Sequence, residues 1–133
     1  MRKIAENLEC GITVAMKIFG GKWKPCIIDA IANGYTRPSE MVRYISDAPQ
    51  RVIEMQLKEL EMHGIVEKII FGGFPLRTEY TLTEAGRSVV PIIDQLNIWG
   101  TNNKELVAGS QQGETVSSSY NCFTTDHSAP SHP

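Results

Sequence analysis

Apolar residues recur along the first half of the chain at intervals of three and four, the spacing that places them on one face of a helix. Pro25 and Pro38 fall where a helix begins, a position at which the missing N–H of proline costs nothing. Glycine, proline and asparagine separate the apolar segments. The pattern therefore predicts four helices, over residues 11–20, 22–34, 38–46 and 51–63.

The second half of the chain first changes from helical spacing to alternation. Two β-prone stretches, residues 65–71 and 77–83, flank the turn-forming sequence GGFPL, which predicts a hairpin with an exposed tip. A last helix is predicted over residues 84–100, with Thr83 as its N-cap and with Pro91 as a point where it bends or restarts. With a short strand or turn after the second helix, this order predicts an α+β, mainly α fold: a winged helix-turn-helix with added helices at both ends.

Composition sets the domain boundaries. A chain of 133 residues that is 41% hydrophobic supports one core, so residues 1–108 are predicted to form one domain. Residues 109–133 contain no Lys or Arg, are rich in Ser and Thr and lack an apolar period, which predicts a disordered polar tail. The chain has no long apolar run and no secretory signal, so a cytoplasmic protein without a membrane segment is expected.

Net charge and cysteine content say little about the function of the protein. The formal net charge of −2 gives no global sign of nucleic-acid binding. Three cysteines without a C-x-x-C pair predict free thiols rather than a disulfide framework or a zinc site, and Cys26, on an apolar helical face, is expected to be buried. Cys122, His127 and His132 lack a fourth ligand, so neither a metal nor a cofactor is predicted.

The fourth helix and the hairpin that follows it suggest a function. A helix that enters the major groove of DNA needs a rigid support, and an adjoining hairpin supplies that support and touches the flanking backbone. The side of the helix away from its apolar positions presents the candidate base-reading residues, with an ordinary solvated helix face as the competing interpretation. The candidates are Gln50, Arg51, Met55 and Lys58, with Glu54 beside them.

Further cations are candidates for contacts with phosphate. Lys22 opens the second helix, and Arg37 and Arg43 flank the third; solubility and surface ion pairs are the competing explanations. Arg77, just beyond the hairpin tip, is the favoured wing residue. Lys68 is less favoured, because strand alternation can direct it away from DNA.

Several segments together resemble one family. The stretches KIFGGKWKPCIIDAIANGYTRPSEM, MQLKELEMHGIVEK and RTEYTLTEAGRSVVPIIDQLNIWG, with Cys10 upstream, are similar to the HxlR-type winged helix-turn-helix regulators of bacteria and archaea, relatives of the MarR group. The likeness covers about residues 8–100. It implies a homodimer built from the terminal helices, double-stranded DNA with a pseudo-palindromic operator as partner, and transcription control in response to stress or a small-molecule effector.

The sequence departs from the family pattern at three positions. Pro38 replaces a usually aromatic residue, and Pro49 replaces the usual small polar residue before the recognition helix, so capping is expected to shift to Asp47, with Gln50 completing the box. Glu54 stands where the family often has Thr and places a negative charge toward the expected groove.

Cys10 is the candidate redox or electrophile sensor, because some members of the family use a cysteine placed before the first core helix and because a helix N-terminus favours the reactive thiolate. A small thiol-dependent enzyme is a rival reading, but Cys10 has no acid–base partner nearby in sequence, so no enzyme is predicted. The alternative from another class is a winged helix that binds proteins and not DNA, which the acidic net charge and Glu54 favour.

Overall fold

The computed structural model describes residues 8–110. Its elements confirm a mainly helical winged helix-turn-helix, in which the two strands form one antiparallel sheet. In chain order they are α1 (Gly11–Phe19), α2 (Lys24–Ala32), α3 (Pro38–Ile45), α4 (Gln50–Met62), β1 (Val66–Phe71), β2 (Arg77–Leu82), α5 (Glu84–Asn102) and α6 (Lys104–Ser110).

The core lies between α2, α3 and α4 and is closed by the inner ends of the two strands and by α5. Its largest side chains are fully buried and occupy the apolar positions of the helical patterns, so burial of these faces holds the three helices together. Those side chains are Ile27, Ile28, Met41, Ile45, Ile53, Leu57, Leu60 and Val66. Cys26 is buried as predicted, but it is disulfide-bonded. The prediction of a free thiol is therefore wrong here, because spacing along a chain does not show which sulfurs approach one another.

The segment between α2 and α3 forms no strand. The backbone carbonyl of Thr36 instead accepts one hydrogen bond, 2.8 Å long, from the N–H of Tyr80, which ties this segment to the outer edge of β2. The Glu40 carboxylate accepts hydrogen bonds from the backbone N–H groups of Thr36 and Arg37, at 3.1 and 3.2 Å. These contacts fix the start of α3 beside the sheet.

The start of α4 differs from the prediction. Pro49 is the N-cap residue and no side chain caps the helix, so the expected capping box of Asp47 and Gln50 is wrong. The reason is local: Ser46, at a positive φ of 75°, ends α3, and the chain then reaches the first turn of α4 through the extended backbone of Pro49. The N-cap residue therefore offers no side-chain acceptor to the N–H groups of the first turn of α4, and its backbone carbonyl accepts from Val52 instead.

The junction between the hairpin and α5 is close-packed. Thr83 caps α5 as predicted, since its hydroxyl accepts a hydrogen bond from the N–H of Gly86 at 3.1 Å. The same hydroxyl donates to the carbonyl of Gly64 at 2.6 Å. A Cβ at Gly86 would lie 2.3 Å from the carbonyl oxygen of Ile65, so only glycine fits at this contact.

The terminal helices extend further than predicted. α5 remains one helix through Pro91 and continues to Asn102, two residues past the predicted end at residue 100, and α6 runs to Ser110. Asn103 makes the junction and donates a side-chain hydrogen bond to the carbonyl of Trp99 at 2.8 Å. The remainder of the predicted tail lies outside the described residues. No helix within residues 8–110 is long and apolar enough to cross a membrane.

Candidate nucleic-acid interface

The exposed face of α4 is defined by the residues that its inner face buries. Ile53, Leu57 and Leu60 are fully buried, which leaves the opposite positions facing solvent. Gln50 and Met55 are exposed, and the Met55 side chain retains 48% of its accessible surface. Arg51, Glu54, Met55 and Lys58 follow one another at helical spacing and form one stripe along the helix.

This stripe forms one wall of a cleft with a volume of about 490 Å³. The hairpin forms the other wall, because Lys68 is paired with Tyr80 across the strands and both side chains therefore lie on the same face of the sheet. Pro38 at the start of α3 closes one end. The lining residues are Pro38, Arg51, Glu54, Met55, Lys58, Lys68, Thr78 and Tyr80.

The cleft is cationic although the whole chain is acidic. Arg51, Lys58 and Lys68 line it and have no ion-pair partner among the described residues. Glu54 is the one carboxylate in the lining, and it accepts a hydrogen bond from the side-chain amide of Gln50 at 2.9 Å. Three cations against one anion give this face a net charge of about +2, which suits phosphate.

Tyr80 forms the floor of the cleft and is buried. Burial raises the pKa of its phenol above the ordinary value, and the carboxylates of Glu61 and Glu54 raise it further. The hydroxyl therefore stays protonated at neutral pH.

The two predicted wing residues lie on opposite faces of the hairpin. Arg77 pairs with Phe71 across the strands, and its guanidinium carbon lies 4.5 Å from the centre of the Phe71 ring, on the face away from the cleft. Its Nε also donates to the carboxylate of Glu79 at 2.9 Å. Lys68, which the sequence favoured less, is the wing cation that the structure brings to α4.

Of the candidates for backbone contacts, Arg37 lies nearest to the cleft. It precedes Pro38, which lines the cleft, and its Nε is 3.5 Å from the Glu40 carboxylate. Arg43 is exposed near the end of α3 and has no ion-pair partner among residues 8–110. Neither guanidinium is buried, so both remain open to a phosphate.

Lys22 is the candidate that the structure does not bring to the cleft. Its ammonium lies 4.9 Å from the centre of the Trp23 ring, at the start of α2. The nearby Lys24 is buried and pairs with Glu59, in the last third of α4, whereas the cleft begins at the first turn of α4 with Arg51. The ammonium of Lys24 lowers the pKa of Glu59, consistent with this ion pair.

Cys10 is separate from the cleft. It is the N-cap residue of α1, is partly exposed and is a free thiol. Hydrogen bonds from the Thr13 side chain and then from the backbone N–H groups of Thr13 and Ile12 lower the pKa of the thiol. A lowered pKa increases the fraction of thiolate, the form that reacts with oxidants and electrophiles.

Metal binding finds no support in the described part of the chain. Residues 8–110 contain no group of three or more His, Cys, Asp or Glu side chains placed to hold a metal ion. Cys122, His127 and His132 lie outside the described residues. The sequence does not identify Thr78 and Tyr80 as cleft residues, and it ranks Lys68 below Arg77. The alternation around Tyr80 is a usable signal, since a buried Tyr80 places its cross-strand partner Lys68 on the same face.

A recognition-type helix beside a two-stranded wing, with a cationic cleft between them, defines a winged helix-turn-helix DNA-binding protein. Comparison with known proteins makes the class more specific. Residues 18–107 match the HxlR-like helix-turn-helix family, and the chain belongs to that family.

Individual relatives agree with this assignment. An HTH-type transcriptional regulator from Methanothermobacter thermautotrophicus is 41% identical over 91 residues, which is 68% of this chain and 70% of the relative. The redox regulator HypR, solved in its reduced form, superposes with a TM-score of 0.69 at 33% identity, covering 75% of this chain and 99% of HypR. A MarR-family transcriptional regulator from Porphyromonas gingivalis gives a TM-score of 0.65 at 35% identity, covering 77% of this chain and 99% of that protein.

Proposed function

We propose that this protein is a sequence-specific transcriptional regulator that binds operator DNA as a homodimer and responds to thiol oxidation or to a small electrophile. The observation that carries the DNA-binding part is the cleft between α4 and the hairpin. Arg51, Lys58 and Lys68 lie there without ion-pair partners among the described residues, beside an exposed helix face. The protein acts by binding in the cytoplasm, without catalysis.

The two walls of the cleft contact different parts of the DNA. α4 enters the major groove, where Arg51 contacts guanine at two points and Gln50 contacts adenine. Lys58, and Lys68 from the wing, contact phosphate, with Arg37 and Arg43 holding the backbone nearby. The side-chain amide of Gln50 donates a hydrogen bond to the Glu54 carboxylate. The carboxylate can also accept a hydrogen bond from the N4 amino group of cytosine.

The homodimer is supported by apolar side chains that the single chain leaves exposed on its terminal helices. They lie on three helices outside the helix-turn-helix core, and large apolar side chains left exposed in this number are typical of an interface. A pair of protomers related by a two-fold axis would place two copies of α4 on a pseudo-palindromic operator. The exposed residues are Ile12 and Met16 on α1, Ile92, Leu96, Ile98 and Trp99 on α5, and Leu106 and Val107 on α6.

The response to oxidants rests on Cys10. Its thiol is free and partly exposed and has a lowered pKa. It precedes α1, whose exposed Ile12 and Met16 belong to the proposed dimer surface, so modification of the sulfur changes the chemistry at the edge of that surface. HypR, a redox regulator, has been solved in both reduced and oxidised forms.

Fluorescence anisotropy tests the DNA-binding part directly. The reduced protein is titrated, across a salt series, into a labelled duplex taken from immediately upstream of its own gene and into an unrelated duplex of equal length. Tight binding to the first duplex that weakens steeply with salt is expected, because phosphate contacts release condensed counterions. Absence of binding to both duplexes at low salt would overturn the proposal in favour of a protein-interaction module, for which Glu54 and the net charge of −2 are the supporting features.

A further inference from the structure

The tip of the hairpin is apolar and exposed. The side chain of Phe74 is fully exposed at 103% of its reference surface, and Leu76 and Ile70 retain 67% and 58%. A two-stranded hairpin has no second layer to cover such residues, so Phe74 is fully exposed and Leu76 and Ile70 are more than half exposed in one protomer. Concentrated apolar surface of this kind indicates a contact with something outside the fold.

The charges around the tip restrict what that contact can be. Residues 68–78 contain two cations, Lys68 and Arg77, and no Asp or Glu. Arg77 pairs with Glu79, whereas Lys68 has no ion-pair partner among the described residues. An apolar tip with an uncompensated cation at its base suits a partner that is anionic on its outside and apolar within. Double-stranded DNA has this character, with phosphates along its edges and stacked bases between them.

The position of the tip also favours DNA. Ile70 lies opposite Thr78, two residues further along the strand than Lys68, and therefore on the same face of the hairpin as the cleft. The apolar surface thus begins where the lining of the cleft ends and continues outward to Phe74. If α4 lies in the major groove as proposed, the hairpin that lines the same cleft extends over the adjacent phosphate backbone, and its tip is then directed toward the neighbouring minor groove.

The base of the tip is braced on its other face. The Arg77 guanidinium lies against the Phe71 ring at 4.5 Å and is held by Glu79 at 2.9 Å. These contacts link the last residue of β1 to the first residues of β2, directly below Phe74. The aromatic side chain is therefore presented on a supported hairpin rather than on a free loop.

We propose that Phe74 acts as a wedge that inserts between base pairs from the minor groove beside each half-site, unstacks that step and bends the duplex. The inference rests on the proposed DNA-binding function and adds to it a residue and a deformation of the DNA. Apolar side chains inserted from the minor groove unstack a base step and kink the helix toward the major groove. The DNA sequence preference of the protein then depends partly on how easily that base-pair step is unstacked, even though no polar side chain forms a hydrogen bond with it.

The wedge is tested on the operator duplex obtained from the anisotropy measurement. 2-Aminopurine is placed at successive positions flanking each half-site to report unstacking, and a donor–acceptor pair at the duplex ends reports bending. The full-length protein is expected to raise 2-aminopurine fluorescence at one step beside each half-site and to shorten the end-to-end distance. Phe74→Ser should abolish both signals, whereas Phe74→Leu, which keeps an apolar side chain, should retain them.

Leu76→Ser is the matched control, since it removes another exposed apolar side chain two residues away and should keep the unstacking signal. Operator binding by the wild-type protein without unstacking at any flanking position would refute the wedge and leave the DNA-binding proposal intact. Equal loss of the signals in Phe74→Ser and Leu76→Ser would also refute it, because the effect would then not be specific to Phe74. No operator binding by the wild-type protein would overturn both proposals.

Discussion

Asp29 makes the stability of this protein depend on pH. Its carboxylate lies within the core side of α2 and the residue is only 4% exposed. It accepts hydrogen bonds from the Tyr44 hydroxyl at 2.7 Å and from the Asn33 amide at 3.2 Å. Burial nevertheless raises the pKa of Asp29 to about 7, with a further contribution from the charge of Asp94, because two hydrogen bonds do not replace the lost hydration.

The direction of the effect follows from the two pKa values. The unfolded chain has the ordinary value of 3.8 and the folded protein a value of about 7, so the folded state binds more protons between them. The contribution of Asp29 to stability is therefore greatest at acidic pH and is lost as pH rises from about 4 to about 7. A shift of this size, at about 1.4 kcal/mol per pH unit, corresponds to an upper limit of about 4 kcal/mol, of which about 2 to 3 kcal/mol falls between pH 5 and pH 8.

The measurement is urea unfolding of the wild-type protein and of Asp29→Asn at pH 5, 6, 7 and 8, at one fixed protein concentration. Asparagine keeps the shape and can accept from the Tyr44 hydroxyl, but it carries no charge. The free energy of unfolding of Asp29→Asn should exceed that of the wild type at pH 8, and the difference should shrink toward pH 5. All other titrating groups are shared, so the difference between the two curves isolates Asp29.

Asp94→Asn is the matched control, because Asp94 is an exposed carboxylate whose charge acts on Asp29 from α5. It should reduce the pH dependence only slightly. Parallel stability curves for the wild type and Asp29→Asn across this range would show that Asp29 does not titrate there. The reasoning from burial would then be refuted.

Further predictions concern the interface, the hairpin junction and the thiol. Arg51→Ala should cost about 1 to 3 kcal/mol on the operator, measured by anisotropy; an equal loss on unrelated DNA would assign Arg51 to phosphate instead. Lys68→Ala should lower the slope of log affinity against log salt by about one, more than Arg77→Ala, and the reverse order would contradict the placement of the two wing faces. Gly86→Ala should destabilise the fold by about 1 to 3 kcal/mol in urea unfolding, as overpacking does, and an unchanged midpoint would show that the contact relaxes. Cys10→Ser should abolish any oxidant-dependent change in operator affinity, while a mutant that still responds would exclude this thiol as the sensor.

Local chemistry made most of the fold predictable from the sequence. The apolar spacing of α2 and α4 reports which side chains are buried, and Thr83 reports where α5 begins, because both signals depend on residues within a few positions. The predicted cap of α4 is wrong. Asp47 and Gln50 satisfy the capping pattern in sequence, but the extended backbone of Pro49 begins the helix without a side-chain cap.

The candidate site was less predictable, because it depends on how distant segments pair. Arg51, Met55 and Lys58 could be grouped from the period of one helix. Lys68 could not be placed with them, since a strand directs alternate residues to opposite faces and only its pairing with Tyr80 fixes which face meets α4.

The Thr83 side chain joins three parts of the molecule at one point. Its hydroxyl donates to the carbonyl of Gly64, two residues after the end of α4, and accepts from Gly86 in the first turn of α5. Its backbone N–H binds the carbonyl of Ile65 at the start of the wing. A rotation of α5 about its own axis is therefore expected to move α4 and the hairpin with it. In the proposed homodimer, protomers joined through α5 would hold their two α4 helices at a fixed distance along the duplex. The angle of α5 at Thr83 would set that distance, far from any base.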